Sequence, residues 1–335
     1  MSSPPVHRFI ERLWYGGSSG ALLLLPLSWL YGAVARVRRR LYRSGWLRSG
    51  HPGVPVIVVG NITVGGTGKT PIVAWLVAQL RAEGLRPGVV SRGYGVQAAS
   101  APVQVLASSS AGEVGDEPLL LARRTGVPVV ICRDRLRGAR ALVAAGVDVI
   151  VADDGMQHYA LSRDMEIAVV DGSRRFGNGR LLPAGPLREP VARLAQADLV
   201  MVNDGEPDRG WLRFRLQSRM AVALGSGEQR DLASFSGKKI WAVAGIGNPW
   251  RFHAELRRCG AEVAPVDVPD HGRTDLGRLR QTADWPILMT EKDAVKYQPC
   301  SYPEVWYVPV DVEVSAESAA VASRRLMAVI GNRHG

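Results

Sequence analysis

The segment Val59-Gly-Asn-Ile-Thr-Val-Gly-Gly-Thr-Gly-Lys-Thr70 decides how this chain is read. A short β-branched run, residues 54 to 60, leads into it. Out of it come residues 71 to 83, with Ile72, Val73, Leu76, Val77 and Leu80 at helical spacing before Gly84. Strand, glycine loop and helix in that order form a phosphate cradle. Gly65, Gly66 and Gly68 let backbone N–H groups approach an anion, and the helix N-terminus adds its positive dipole. Lys69 reaches β/γ oxygens, Thr70 can ligate Mg²⁺, and Thr63 and Thr67 complete the set of nucleotide-contact candidates. Thr63 stands where the general GxxxxGK[ST] pattern has its first glycine. The bland alternative, a plain glycine turn, does not explain a lysine and a threonine at the helix start.

Outward from the loop, further strands are expected at residues 87 to 91, 103 to 107, 127 to 132 and 147 to 152, with helices at 117 to 124 and 136 to 145. This alternation implies an α/β fold, a mostly parallel sheet covered by helices. After Tyr159 it restarts, with strands at 167 to 171, 199 to 203, 240 to 244, 262 to 266, 287 to 290 and 305 to 310. The economical division is an N-terminal segment, 1–45, a phosphate-loop domain, 46–160, and a second α/β domain, 161–315. Residues 176 to 190 and 205 to 237 are the loop-rich parts of that second domain, and the last helix, 316–330, packs on either unit.

Asp153 and Asp154 end the apolar run 147 to 152, where a Walker B carboxylate would hold Mg²⁺. Asp116-Glu117 before Pro118 admits two explanations. One is a helix cap with first-turn acids; the other is a carboxylate placed to accept a hydroxyl proton. Asp270-His271 follows a strand and could orient such a base. Thr290-Glu-Lys-Asp293 has the form of a capping box. Arg92 and Arg188 sit on glycine- and proline-rich loops, where an arginine faces phosphate or solvent, and His158 follows the paired aspartates closely.

Lysine and arginine outnumber the acids 42 to 31, a net charge of +11 that favours polyanions. A cluster of arginines from Arg36 to Arg48 directly follows the uncharged run 13 to 35, in a stretch carrying Trp14, Tyr15, Trp29, Tyr31, Tyr42 and Trp46. Basic and aromatic flanks of that kind suit a helix in the headgroup layer of a bilayer, and a cleaved signal is not expected. The three cysteines, Cys132, Cys259 and Cys300, are widely spaced, which suits a reducing cytosol and gives no zinc spacing.

These residues together carry a resemblance. The strings VGNITVGGTGKTP (59–71), SRGYG (91–95), EVGDEP (113–118), VADDGMQH (151–158), LLPAGPLRE (181–189), PDH (269–271) and TEKDAVK (290–296) resemble the tetraacyldisaccharide 4′-kinase family of lipid A biosynthesis. The resemblance implies two α/β/α domains joined by a hinge, a P-loop NTPase-like one and a smaller partner. It implies ATP and Mg²⁺, with transfer of the γ-phosphate to the 4′-hydroxyl of a tetraacylated glucosamine disaccharide 1-phosphate at the cytoplasmic face of the inner membrane. It casts Asp116 as catalytic base, His271 as its partner, and Asp153 and Asp154, with Glu117 beside them, as Mg²⁺-side acids. Arg92, Tyr94, Gln157, His158 and Arg188 become substrate contacts. Threonine at 63 is the family's own choice; Met156 replaces its common leucine.

A partitioning-type ATPase is the rival, but Val64 occupies the place of that group's signature lysine. Nucleic acid is not an expected partner, since no aromatic-basic recognition motif is present. No obligatory protein partner is expected either.

Overall fold

The computed structural model describes residues 5–16, 19–93, 100–266, 268–269, 272–297 and 303–331, with side chains from residue 10 onward. Tyr94, Asp270 and His271 lie outside the described residues.

The chain opens with α1 (Pro5–Tyr15), a 3-10 turn (Ser19–Leu24) and α2 (Leu25–Arg43). Then follow β1 (Val56–Gly60), α3 (Lys69–Ala82), β2 (Pro87–Ser91), β3 (Val103–Val105), α4 (Ala111–Val114), α5 (Asp116–Thr125), β4 (Val129–Ile131), α6 (Arg135–Ala144) and β5 (Val149–Asp153). Three more strands, β6 (Met165–Asp171), β7 (Leu199–Asn203) and β8 (Leu212–Gln217), precede a crossing into a separate group. That group comprises β9 (Met220–Ala223), β10 (Gln229–Asp231), β11 (Lys239–Val243), α7 (Pro249–Arg258), β12 (Glu262–Val266), α8 (Leu276–Thr282), β13 (Ile287–Thr290), α9 (Glu291–Ala294) and β14 (Val305–Val308). The chain then returns through β15 (Asp311–Val314) and α10 (Ala316–Gly331).

Among the described residues the strands form two sheets, one of nine strands ordered β15-β8-β7-β6-β1-β5-β2-β4-β3 and one of six ordered β10-β9-β14-β13-β11-β12. The large sheet is parallel except for its two edges, β15 and β3. Its central strands are continuous apolar runs, as strands covered on both faces must be: every residue of β1 and β5 is buried.

This sheet corrects the expected division at residue 160. Strands β6, β7 and β8 extend the first sheet instead of starting the second, and the second sheet begins only at Met220. The physical reason is that parallel pairing is long-range: Val59 pairs with Ile167 and with Asp153, and no local pattern in β6 announces that partner. The segment 205 to 237, expected as loop, holds three strands. In Leu212-Arg-Phe-Arg-Leu-Gln217 the arginines alternate with buried Leu212 and Phe214, a half-solvated strand that reads as polar. Helix α10 packs on the large sheet's core through Ala322, Leu326 and Ile330.

Helix α3 shows why the phosphate loop is rigidly held. Ile72, Val73, Leu76, Val77 and Leu80 form one stripe, each at most 1% exposed, against the sheet. Each contributes roughly 1.5–3 kcal/mol by burial, and Leu76→Ala would remove about 2–5 kcal/mol. The helix stops at Gly84, whose φ of +79° permits the left-handed turn in which Leu85 N–H donates to the Leu80 carbonyl at 3.1 Å.

Helix α2 has two faces. Its inner one rests on the loop 176–190: Ser28 Oγ donates to the Leu181 carbonyl at 2.8 Å, and Tyr31 OH to that of Arg188 at 3.1 Å. The outer face leaves Trp29 66%, Leu30 62% and Val34 60% exposed, and Leu23 of the preceding 3-10 turn is 85% exposed. Among the described residues, Ser19–Arg43 is long and apolar enough to cross a membrane by length and composition.

Candidate active site

Strand β1 lies between β5 and β6, and chain order runs away from it in both directions. Ligands of open parallel sheets bind at the carboxyl ends of such a switch point. The loop 61–68 leaves β1 there, and β5 ends there in Asp153.

Gly65 has φ +110° and Gly68 φ +94°, conformations that side chains rarely adopt. A Cβ at Gly65 or Gly66 would meet nothing within 4 Å, so the loop presents open backbone toward the cavity. Asn61 ties the loop from beneath, its Nδ2 donating to Thr63 Oγ1 at 3.4 Å and to Thr67 Oγ1 at 3.3 Å. Asn203 Nδ2 donates to the Thr67 carbonyl at 3.4 Å. Residues 62–64 also pair with 186–188: Val64 N–H donates to the Pro186 carbonyl at 2.8 Å and Arg188 N–H to that of Ile62 at 2.7 Å.

That pairing delivers Arg188 to the paired acids. Arg188 Nη1 lies 3.1 Å from Asp154 Oδ2, and Lys69 Nζ is 3.4 Å from Asp154 Oδ1. Burial alone would raise the Asp154 carboxyl, but Lys69, Arg188 and Arg135 hold it well below the usual carboxylate range. Asp154 also has φ +46°, strain of the kind that gathers at functional sites. Asp153 is its opposite. Burial first, then the charges of Glu117 and Asp154, push it up to about 7 against the pull of Lys69 and Arg135. Ser91 Oγ donates to Asp153 Oδ2 at 3.3 Å, and Arg135 Nη2 to the Asp153 carbonyl at 3.1 Å.

Among the described residues no three His, Cys, Asp or Glu side chains form a metal cage. Mg²⁺ needs none, because it takes one or two carboxylates and completes its shell with phosphate oxygens and water. Crowded acids at Asp153, Asp154 and Glu117 beside Thr70 fit such a shared ion.

One cavity of about 900 Å³ collects most of the residues singled out from sequence. The loop from Gly65 to Thr70 lines it, as do Arg92, Glu117, Asp153, Asp154, Gln157, His158 and Arg188. Gln157 Nε2 donates to Glu189 Oε2 at 3.1 Å and to the Asn61 carbonyl at 2.9 Å. Burial, then Arg135 and Arg163, lower His158 to about 4, leaving a neutral imidazole. Tyr31, Ala35 and Arg38 of α2 line it as well, as do Gly247 and Arg251 of the smaller unit. Arg251 is anchored on Asn203 at 3.3 Å and on Asp204.

Three of the expected residues have neighbours that the sequence does not show. Thr63 sits behind the loop, its hydroxyl taken by Asn61, and is not on the cavity wall. Asp116 opens α5, is buried, and lies at the seam between the two units, where Lys296 Nζ is 3.7 Å from its Oδ2. Glu117, expected on the metal, receives a hydrogen bond from Lys292 Nζ at 3.0 Å. A lysine three residues into a capping box gave no sign of that reach.

A family model described as tetraacyldisaccharide-1-P 4′-kinase matches residues 20–329. The chain belongs to that family. The tetraacyldisaccharide 4′-kinase of Aeromonas hydrophila is 48% identical over 92% of this chain and 92% of its own length. That of Pseudomonas aeruginosa is 46% identical over 95% and 98%. The crystal structure of LpxK from Aquifex aeolicus in complex with ATP matches with a TM-score of 0.76 and 29% identity, covering 92% of this chain and 99% of that one.

Sequence reasoning missed four groups in this family member. Glu189 ends the string 181–189 and was within reach. Arg135 and Asn203 carry no local signal, and Lys296, though it ends the string 290–296, shows nothing there of its reach to Asp116; each meets the site by packing between elements distant in sequence.

Proposed function

We propose that this chain is an ATP-dependent kinase that phosphorylates the 4′-hydroxyl of a tetraacyl-glucosamine disaccharide 1-phosphate, giving lipid IVA in lipid A biosynthesis. The observation that carries this reading is a single cavity lined both by Lys69 and Thr70 and by Tyr31, Ala35 and Arg38 of α2. A phosphate loop and a helix with an exposed apolar face meet there, so a phosphoryl donor and a lipid headgroup have a common chamber.

In this reading the backbone from Gly65 to Gly68, the α3 N-terminus and Lys69 hold the β- and γ-phosphates. Mg²⁺, when bound, would supply positive charge against the charge that develops on transfer. Thr70, Asp153 and Asp154 would hold it, with Glu117 close by. Asp116 accepts the acceptor's hydroxyl proton, with His271 as its partner. It precedes the cavity wall by one residue, and catalytic hydrogen bonds often tighten only when substrate is present. Arg92, Tyr94, Gln157 and His158 meet the headgroup, and a neutral His158 can donate or accept toward a sugar hydroxyl. Arg188 divides its attention between Asp154 and that headgroup.

The outer face of α2 rests in the interfacial layer of the inner membrane's cytoplasmic leaflet, with the arginines after Ala35 toward anionic headgroups. The smaller unit, from β9 to β14, closes over the phosphate loop.

Acceptor dependence tests the function. Purified protein with γ-labelled ATP, Mg²⁺ and the disaccharide lipid in mixed micelles is expected to move label into the lipid phase, and to release little free phosphate without lipid. Equal ATP turnover with and without lipid would make the protein an ATPase of the partitioning kind.

A further inference from the structure

We propose that Lys296 is a positioning residue that holds Asp116 across the seam between the two units. The inference rests on the reading of Asp116 as the base. Lys296 ends the string Thr290-Glu-Lys-Asp-Ala-Val-Lys296, and its side chain is 3% exposed. Its Nζ lies 2.7 Å from Asp293 Oδ1, donates to the Gly272 carbonyl at 3.0 Å, and stands 3.7 Å from Asp116 Oδ2. Two of these are hydrogen bonds and the third an ion-pair contact, and the three come from three different segments.

Asp293 is itself fixed. Its Oδ2 accepts from Gly245 N–H at 2.8 Å and from Thr290 Oγ1 at 2.6 Å, and its backbone N–H donates to Thr290 Oγ1 at 3.1 Å. A buried ammonium needs an opposite charge, and Asp293 alone supplies one. The contact with Asp116 is therefore additional to what Lys296 needs for its own burial. It crosses from the smaller unit to the first turn of α5.

Two further ion pairs register the same turn and helix on α9: Lys292 Nζ with Glu117 Oε1 at 3.0 Å, and Arg124 Nη1 with Glu291 Oε2 at 2.8 Å. The smaller unit thus places an opposite charge beside the Asp116 carboxylate when the units meet as they do here.

The test is a double-mutant cycle on the full chain, with ATP, Mg²⁺ and the lipid acceptor in single-turnover conditions. Lys296→Met is expected to lower the transfer rate roughly 10- to 100-fold while leaving the KM for ATP within about threefold, because the effect runs through the acceptor-side carboxylate. Lys296→Arg should recover part of the loss. In an Asp116→Asn background, Lys296→Met should add no further loss, the non-additivity of groups that act as one. Should Lys296→Met misfold through the orphaned Asp293, Asp293→Asn combined with Lys296→Met removes both charges and is read the same way.

Transfer at the wild-type rate in that paired variant would overturn the inference, and so would losses that multiply in the Asp116→Asn background. A normal rate for Asp116→Asn alone would instead remove Asp116 as base, and the inference with it.

Discussion

Replacing Lys69 by methionine separates the phosphate-binding role of this lysine from any role in folding. Its Nζ is 13% exposed as a side chain and touches Asp154 at 3.4 Å. Asp154 keeps a second cation in the variant, because Arg188 lies 3.1 Å from its other oxygen. The carboxylate is thus never orphaned. With Asp154 a third exposed, the lost pair is worth at most about 1 kcal/mol, which for domains of this size corresponds to a fall in Tm of no more than roughly 4 °C. Chemistry is a different matter, since one preorganised donor aimed at developing charge contributes about 2.7–4 kcal/mol, or roughly 10²–10³ in kcat. Thermal melts by circular dichroism and the micellar transfer assay together are expected to show near-native Tm with turnover reduced by that factor. Turnover within threefold of wild type would refute the placement of Lys69 on the transferred phosphate. A Tm loss of the order of 10 °C would show that the lysine is structural.

Three other perturbations follow from the geometry. Gly68→Ala places a side chain at φ +94° with Asn203 Nδ2 3.1 Å from the new Cβ, so a strain of about 1–2 kcal/mol should weaken ATP binding roughly tenfold by calorimetry. Arg193→Met removes the cation that buried Glu189 shares with Glu166, which keeps Arg163 at 3.0 Å, and a loss of about 1–3 kcal/mol should appear as a Tm lower by roughly 2–12 °C. Changing Trp29, Leu30 and Val34 together to glutamate touches only outward side chains, so Tm should hold while partition onto anionic vesicles falls at least about tenfold. Unchanged partition in sedimentation would remove the outer face of α2 from membrane contact.

The first half of the large sheet was legible because its strands are short β-branched runs and its helices carry a 3.6-residue apolar stripe. Residues 87–91, 199–203, 262–266 and 287–290 are strands with the expected ends. What stayed hidden depends on pairing over distance. Asp311-Val-Glu-Val314 reads as polar until β8 is beside it, and then Val314 meets Phe214 across an antiparallel edge. The site divides in the same way. Gly65 to Thr70, Asp153 and Asp154 follow one strand end each and were visible, whereas the Lys292–Glu117 and Lys296–Asp116 contacts join residues whose partners lie far along the chain.

The most direct measurement is the mass and phosphorus NMR spectrum of the lipid after incubation with the purified protein, ATP and Mg²⁺. The expected result is a product carrying one additional phosphate, on the 4′ oxygen of the distal glucosamine, formed in equal amount with ADP. ADP without a change in the lipid, or a new phosphate at any other position, would contradict it.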